Sequence, residues 1–212
     1  YDILLEELKY TPRNLYVDDY TLLATWDEPL SILADENFEG SVFPPDGWTA
    51  TYQSTSGWYA TTDGSSAYFV IPPHTKYAVA NDDAGGSSNN GCCDYLITPV
   101  YDLSGAPSYI LSFQSYFQNT YGESGTVEMS TDGGTTWTII ADMVAASSWQ
   151  QVDVDLAAYS GATGLTHVQF AFHANDNGQY ADGWAIDDVM LSSGGIPVQG
   201  YAFFLDGALV YQ

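Results

Sequence analysis

The chain has 212 residues, of which 45% are hydrophobic and 15% aromatic, and its 27 acidic against 3 basic side chains give a net charge of -24. This apolar content is too high for a disordered chain, and the length suits one large or two small domains. The negative charge argues against nucleic acid and anionic membranes as partners, because both would repel it. Membrane insertion is not expected either, since no stretch approaches the roughly 20 apolar residues of a span.

Short alternating segments follow one another from residue 10 onward. The stretch PRNLYVDDYTLLATWDEP within residues 10–34 predicts two strands ending at Pro29. Loops rich in Gly, Asp, Asn and Ser then separate nine strand-like segments, and no helical stripe of ten or more residues occurs. These segments are 66–71, 76–81, 94–103, 108–117, 125–130, 136–140, 149–156, 167–174 and 183–191.

The middle region, residues 35–193, therefore reads as an all-β domain, a two-sheet jelly-roll β-sandwich. Residues 192–195, SSGG, mark a boundary, and residues 196–212 predict a further hairpin with its turn at Asp206-Gly207. The two outer pieces are each too small to bury a core alone. Because Tyr1 is not an initiator residue, we expect the chain to be a processed product or an excised piece.

The two cysteines, Cys92 and Cys93, are adjacent in sequence. Neighbouring cysteines cannot close a long loop, so the sequence leaves open a vicinal disulfide and a free pair. Zinc is not predicted here, because no second cluster of Cys or His lies nearby.

Ordered landmarks in the middle region carry a family resemblance. They are ENFEG with PPDGW, YAVAND, DYLITPVYDLSG, VEMSTDGGTTWT and DGWAIDDVML. In this order they resemble the cleaved-adhesin domains of bacterial surface hemagglutinins and secreted proteases, also called the choice-of-anchor J type and related to MAM domains. The resemblance implies a jelly roll with structural Ca²⁺ in a secreted or surface-attached multidomain protein. The outer pieces are similar to strands of one fibronectin type III domain, with Trp26 as its core tryptophan.

The pair Asp187 and Asp188 lies in an otherwise apolar strand. If the first and last strands of the jelly roll are neighbours, Glu36 and Glu39 approach this pair, and one calcium ion with its six to eight oxygen ligands would relieve their repulsion. The resemblance implies Glu39 with Asp187 or Asp188 as ligands. The alternative is that the aspartates accept backbone amides in a turn and Glu39 faces water.

Four further residues are second-rank candidates for the metal. They are Asn81, Asp82, Asp83 and Asp94, which bracket a long polar loop next to the expected site. The sequence alone assigns these residues no separate ion.

Aromatic residues in or beside loops are candidates for binding sugars. Trp58, Tyr59, Tyr116, Tyr121 and Tyr180 belong to this group. A sugar ring packs its C–H face on an aromatic plane. The alternative is the core, because aromatic side chains dominate the interior of β-sandwiches.

Motifs typical of enzymes do not support catalysis. Ser130 to Trp137 fits an Asp-box, which we interpret as a structural hairpin turn capped by Asp132. Glu128 is predicted to be a solvent-facing strand residue, His167 and His173 to be strand ends, and no G-x-S-x-G elbow occurs.

The sequence therefore predicts a non-catalytic adhesion or ligand-binding module that is extracellular and stabilised by calcium. Its partner is a glycan or protein ligand, or neighbouring domains of the same protein. The alternatives are an architectural spacer in a surface filament or secreted hydrolase and, third, an acidic β-sandwich hydrolase.

Overall fold

A computed structural model describes residues 31–53, 57–87, 92–106, 108–159 and 165–193, together with the backbone of strands at 13–17, 24–27, 203–205 and 208–211. The described strands are β1 Arg13–Val17, β2 Ala24–Asp27, β3 Ile32–Glu36, β4 Thr49–Thr51, β5 Trp58–Thr61, β6 Tyr77–Asn81, β7 Asp94–Ile97, β8 Tyr109–Phe117, β9 Ser124–Ser130, β10 Thr138–Asp142, β11 Gln150–Asp155, β12 Gln169–Asn175, β13 Gly183–Ser193, β14 Phe203–Leu205 and β15 Ala208–Tyr211. A short helix, α1, spans Asp82–Gly85. No helix in the described part of the chain is long and apolar enough to cross a membrane.

Two antiparallel sheets form the sandwich. The first has the order β10-β9-β12-β7-β4, and the second has the order β11-β8-β13-β6-β5, with β3 also paired to β13. The pairs β1–β2 and β14–β15 form two separate two-stranded sheets. The prediction of an all-β jelly-roll sandwich is confirmed.

The first and last strands of the sandwich are neighbours. β3 pairs antiparallel with the second half of β13, with Val189 opposite Glu36 and Leu191 opposite Ala34. The ends of the middle region therefore lie together, as an insertion into another domain requires. The fibronectin type III assignment of residues 10–34 and 196–212, with Trp26, depends on side chains outside the described residues and stays a prediction.

Aromatic side chains from both sheets fill the interior. Trp184 of β13 is fully buried and packs against Trp58 at 5.5 Å and Phe172 at 5.9 Å between ring centroids. Its indole nitrogen donates to Ser115 Oγ at 2.9 Å, so its polar atom has a partner. Burying such large rings provides the main favourable contribution to folding.

The predicted strand at 66–71 is wrong, because this segment has no partner strand. The amides of Tyr68 and Phe69 donate to the Asp83 carboxylate at 2.8 and 3.3 Å, and the amide of Ile71 donates to Ser65 Oγ at 3.0 Å. Phe69 is buried in a second apolar cluster, with Tyr116 among its members, and this cluster lies outside the main core.

The Asp-box prediction is confirmed as a hairpin turn. Asp132 Oδ1 accepts the amides of Thr135 and Thr136 at 3.0 and 2.9 Å. Gly133 and Gly134 have φ of 70° and 87°, which a residue with a side chain adopts only with strain. The turn joins β9 to β10.

The cysteine pair, which the sequence left open, is joined in the structure as a Cys92–Cys93 disulfide. The pair directly precedes Asp94, the first residue of β7.

Candidate ligand and cation sites

Three tyrosines, Tyr68, Tyr121 and Tyr180, lie together on the surface and are called here the tyrosine surface. Tyr68 is 64% exposed and Tyr121 is 49% exposed. The ring of Tyr180 lies between them, 6.5 Å from Tyr68 and 6.4 Å from Tyr121 by centroid. The three rings come from three separate loops, so the fold assembles a surface that no short motif encodes.

Asp83 holds the tyrosine surface in place. Besides the amides of Tyr68 and Phe69, its carboxylate accepts the hydroxyl of Tyr180. Burial alone would raise the pKa of Asp83, but hydrogen bonds from Ser66, Tyr180 and these amides outweigh it and hold the pKa below the ordinary value. The bond to Asp83 raises the pKa of Tyr180 to about 12, so this hydroxyl stays protonated and keeps donating.

Trp58 and Tyr116, two predicted sugar-stacking residues, belong instead to the interior. Each is 4% exposed. The Trp58 indole donates to the carbonyl of Asp94 at 2.9 Å, and the Tyr116 hydroxyl donates to the carbonyl of Val70 at 2.8 Å. Their ring faces are covered by other side chains and cannot receive a sugar.

The other three predicted aromatic residues are at least partly accessible. Tyr59 is half-buried against the second apolar cluster, and burial raises its pKa. Tyr121 and Tyr180 form the tyrosine surface with Tyr68, which the sequence did not single out because it lies in a segment that looked like a strand.

Four carboxylates beside the tyrosine surface surround a cavity of about 30 Å³ and are called here the acidic pocket: Asp82, Asp94, Glu123 and Asp176. Asp94, Glu123 and Asp176 are less than a tenth exposed. Asp94 Oδ1 accepts the amide of Gln53 at 2.9 Å, and Asp176 Oδ1 accepts the amide of Gly178 at 2.6 Å. Asp176 thus orders its own loop, whereas Asp94 fixes the segment at Gln53 against the start of β7.

The acidic pocket also supports the loops that carry the tyrosines. Glu123 Oε2 accepts the amide of Tyr121 at 3.0 Å, and Asp82 Oδ2 accepts the amide of Ala181, next to Tyr180, at 2.7 Å. Burial raises the pKa of Glu123 despite its backbone hydrogen bonds. No lysine or arginine is among the described residues that line this pocket, and a cation would stabilise a buried group of carboxylates of this kind.

The acidic pocket has donors of the kind that calcium takes, although no three of its carboxylates bring ligand oxygens within 4.8 Å of one another in the described part of the chain. Its donors are carboxylate oxygens, which Ca²⁺ prefers, and they come from four different segments, which Ca²⁺ tolerates because its coordination geometry is flexible. Two of the predicted metal residues, Asp82 and Asp94, lie here. Glu123 and Asp176 were missed because neither falls in a recognisable metal-binding spacing.

Asp187 and Asp188 lie at another place on the sheet. Gly183 pairs with Asn81 next to the acidic pocket, and Asp187 lies four residues further along β13, about 13 Å away at the usual rise per residue. The predicted metal residues therefore divide between two places, with Asp82 and Asp94 separate from the aspartate pair.

Strand β13 has a β-bulge at these two aspartates, so its pairing with β8 is irregular there. Asp187 pairs with Gln114 and Met190 pairs with Ser112, so two residues of β13 stand opposite one residue of β8. Asp188 has φ of +50°, a left-handed conformation that is uncommon for a residue with a side chain. In a regular strand neighbouring side chains point to opposite faces, whereas here both carboxylates approach His74.

Asp187 is fully buried and accepts hydrogen bonds from its surroundings. Its Oδ1 accepts the amide of Asp188 at 2.8 Å, and its Oδ2 accepts the hydroxyl of Thr75 at 3.0 Å. The ring nitrogen Nδ1 of His74 lies 2.8 Å from the same Oδ2. Burial is the main reason that the pKa of Asp187 is raised.

Each of the two predicted glutamates accepts a backbone amide, Glu36 from a residue two positions away and Glu39 from a residue 37 positions away. Glu36 Oε1 accepts the amide of Phe38 at 2.7 Å, and Glu39 Oε1 accepts the amide of Lys76 at 2.8 Å. The described group of potential metal ligands at this place consists of His74, Asp187 and Asp188, without either glutamate. The calcium site expected at Glu36, Glu39, Asp187 and Asp188 stays a prediction.

The structure places Glu128 and His173 differently from the sequence predictions. Glu128 is only 8% exposed, and its Oε1 lies 2.7 Å from His173 Nδ1 in the middle of two strands. Glu128 is therefore not a solvent-facing residue, and His173 is not at a strand end. His173 stacks on Tyr95 at 4.1 Å, which leaves its Nε2 buried and without a hydrogen-bond partner.

Comparison with known proteins gives matches at the level of structure. No protein-family model and no curated protein matches the chain. The K3 cleaved adhesin domain of Lys-gingipain from Porphyromonas gingivalis has a TM-score of 0.57 and 19% identity, covering 78% of this chain and 100% of that domain. The K1 cleaved adhesin domain of the same protein has a TM-score of 0.54 and 18% identity, covering 79% and 100%.

A third solved structure, TmCBM61 in complex with β-1,4-galactotriose, has a TM-score of 0.50 and 15% identity, covering 75% of this chain and 95% of that chain. Identities this low show a shared fold and do not transfer ligands or binding residues. The resemblance drawn from the sequence landmarks is confirmed in the fold: the middle region has the β-sandwich fold of the cleaved adhesin domains.

Proposed function

We propose that the middle region is a non-catalytic binding module of a secreted or surface-attached protein, that it binds glycans on the tyrosine surface, and that calcium occupies the acidic pocket. The observation that carries this proposal is the contact of Tyr180 with Tyr68 and Tyr121 at the surface, beside buried carboxylates. Exposed aromatic rings in a fixed arrangement are suited to the apolar faces of sugars. The shared fold supports a binding module, since TmCBM61 was solved with a bound oligosaccharide.

The calcium and the tyrosines would act together. Glu123 accepts the amide of Tyr121, and Asp82 accepts the amide of the residue that follows Tyr180. An ion in the acidic pocket would hold both carboxylates and therefore both loops, so the tyrosine surface would be ordered before a sugar arrives. Preorganisation of this kind improves affinity by lowering the entropy lost on binding.

Glycan binding is tested by screening the chain against neutral oligosaccharides in calcium and then by substituting the tyrosines. Tyr121→Ala and Tyr180→Ala should each weaken binding about tenfold or more, because stacking on one aromatic ring contributes on the order of 1–2 kcal/mol. Tyr52→Ala is the matched control, because Tyr52 is 60% exposed but outside the tyrosine surface. If no glycan binds, or if both variants bind like the unaltered chain, the module is better described as an architectural spacer.

Calcium is tested separately by thermal unfolding. The midpoint should be higher in calcium than in chelator, because an ion that binds only the folded state stabilises it. Asp176→Asn should remove most of this difference, while Asp153→Asn, at an exposed acid of β11, should keep it. An unchanged midpoint in calcium and chelator would rule out the proposed ion.

A further inference from the structure

The Cys92–Cys93 disulfide lies beside the acidic pocket, because it directly precedes Asp94. Both cysteines are half-buried, so a small thiol can reach their sulfur atoms. A disulfide between neighbours encloses no loop of chain and therefore gains little of the usual stabilisation, which comes from restricting a long loop in the unfolded state. What it constrains is the backbone of the two cysteines themselves.

The backbone at this pair has an uncommon conformation. Cys93 has φ of +81°, in the left-handed region that residues with a side chain rarely adopt. Such conformations persist only where the surrounding structure imposes them. A covalent bond between the side chains on either side of the Cys92–Cys93 peptide supplies such a constraint. Two separate thiols do not supply it, so reduction allows Cys93 to return to the negative φ that most residues prefer.

A change at Cys93 acts first on the next residue, Asp94. The Oδ1 of Asp94 accepts the amide of Gln53 at 2.9 Å, its carbonyl accepts the indole N–H of Trp58 at 2.9 Å, and the residue lines the acidic pocket. Gln53 also contacts the disulfide, since its Oε1 lies 3.3 Å from Cys92 Sγ. The carboxylate of Asp94 and the segment at Gln53 therefore depend on the same few backbone torsions.

The rest of β7 is anchored and should not follow this change. Tyr95 is paired on both sides, with Thr51 of β4 and with His173 of β12. Leu96, which comes next, is fully buried in the main core. A change in the cysteine pair is therefore confined to the start of β7 and to the contacts of Asp94.

We propose that the Cys92–Cys93 disulfide is a site of thiol–disulfide exchange, and that its reduction by a dithiol shifts the Asp94 carboxylate out of the acidic pocket. A thiolate of the dithiol attacks one cysteine sulfur, the S–S bond breaks, and the other cysteine leaves as a thiolate that takes up a proton. The second thiol of the reductant then displaces the first cysteine from the mixed disulfide. Two electrons pass from the reductant to the pair, which leaves two protein thiols and an oxidised dithiol.

The position of Asp94 is tested without calcium. The full chain is compared, oxidised and after treatment with excess dithiothreitol, by thiol counting and by NMR of the Gln53 amide and the Trp58 indole N–H. Reduction should release both cysteines of the chain as thiols and shift both signals, because both donors bind to Asp94. The amide of Thr136, in the Asp132 turn, is the internal control and should not shift.

The consequence for cation binding rests on the calcium proposed for the acidic pocket. Calorimetric titration should show a Ca²⁺ affinity about tenfold lower in the reduced chain, a loss of the size seen when one group around a metal site is removed. If the oxidised chain binds no Ca²⁺, the calcium proposal fails, and the NMR signals alone decide whether the disulfide positions Asp94.

A variant without the disulfide separates reduction from other effects of the dithiol. Cys92→Ser/Cys93→Ser should give the NMR signals and the Ca²⁺ affinity of the reduced chain, and it should not respond to dithiothreitol. Reoxidation of the unaltered chain should restore both properties. The proposal is overturned if the disulfide of the folded chain resists dithiothreitol, or if the oxidised and reduced chains give the same Gln53 and Trp58 signals.

Discussion

The two neighbouring aspartates of β13 have identical side chains but different surroundings, and the surroundings decide what each side chain does. Asp187 is fully buried among hydrogen-bond donors, while the next residue, Asp188, is exposed. Alternation of side chains along a strand accounts for one acid of the pair lying inside and the other outside. The bulge and the approach of His74 could not be predicted, since they depend on how β3 and β6 share one edge of β13.

Asp132 offers a test of hydrogen bonding at a single carboxylate. Hydrogen bonds from the amide and hydroxyl of Thr136, then from Ser130 and the amide of Thr135, lower its pKa from 3.8 to about 2. We expect a carboxyl NMR titration to place the midpoint near 2. A midpoint at or above 3.8 would contradict the turn geometry.

The same shift predicts the direction of a pH effect on stability. Between pH 3.8 and about 2 the unfolded chain binds the proton at Asp132 and the folded chain does not. The stabilising contribution of Asp132 is therefore complete above pH 3.8 and is lost as the pH falls through 2. Asp132→Asn should show a shallower loss of stability over this range than the unaltered chain in matched denaturant titrations.

At the scale of elements, alternation of apolar residues predicts the strands that have a buried face and a regular partner. Strands β8, β9 and β12 were predicted for this reason. The segment 66–71 has the same composition, but Asp83 takes two of its backbone amides, which no local pattern reveals. Helix α1 was missed because one turn capped by Asn81 is too short to show a helical period.

The close pairing of β6 with β13 predicts that any side chain at position 183 would destabilise the fold. A Cβ atom at this position would lie 2.6 Å from the carbonyl oxygen of Ala80 and 2.9 Å from the ring of Phe69. Backbone cannot move aside as a side chain end can, so Gly183→Ala should lower the free energy of unfolding by about 1–3 kcal/mol. The measurement is denaturant unfolding followed by circular dichroism.

Gly40→Ala is the matched control for that variant. A Cβ atom at Gly40 meets nothing within 4 Å, and its backbone is not in the left-handed region. Its stability should change by no more than about 0.5 kcal/mol. Equal stability of the two variants would mean that β6 and β13 are not packed this closely.

At the scale of the whole molecule, sequence and fold explain different parts of the candidate sites. The order of short apolar segments predicted the sandwich, whereas the neighbouring first and last strands were only assumed and are shown by the pairing of β3 with β13. The sites could not be predicted in full, because each collects residues from distant loops. Tyr68 meets Tyr180 only after 66–71 folds over the sheet, and Glu123 meets Asp176 only at the end of the sandwich.

The charge of the whole chain gives a further prediction. With 27 acidic and 3 basic side chains, the net charge of -24 repels itself more strongly in the compact state than in the expanded unfolded chain. Salt screens this repulsion, with a Debye length falling from about 30 Å at 0.01 M to about 3 Å at 1 M. The thermal midpoint in chelator should therefore rise steadily as NaCl increases over this range.

Screening depends on ionic strength and not on the identity of the ion, so tetramethylammonium chloride should raise the midpoint nearly as far as NaCl does. A rise with NaCl alone would instead indicate that sodium binds at specific carboxylates. A thermal midpoint that stays flat or falls with both salts would contradict the prediction. It would mean that the acidic side chains lie far enough apart in the fold for their repulsion to contribute little to stability.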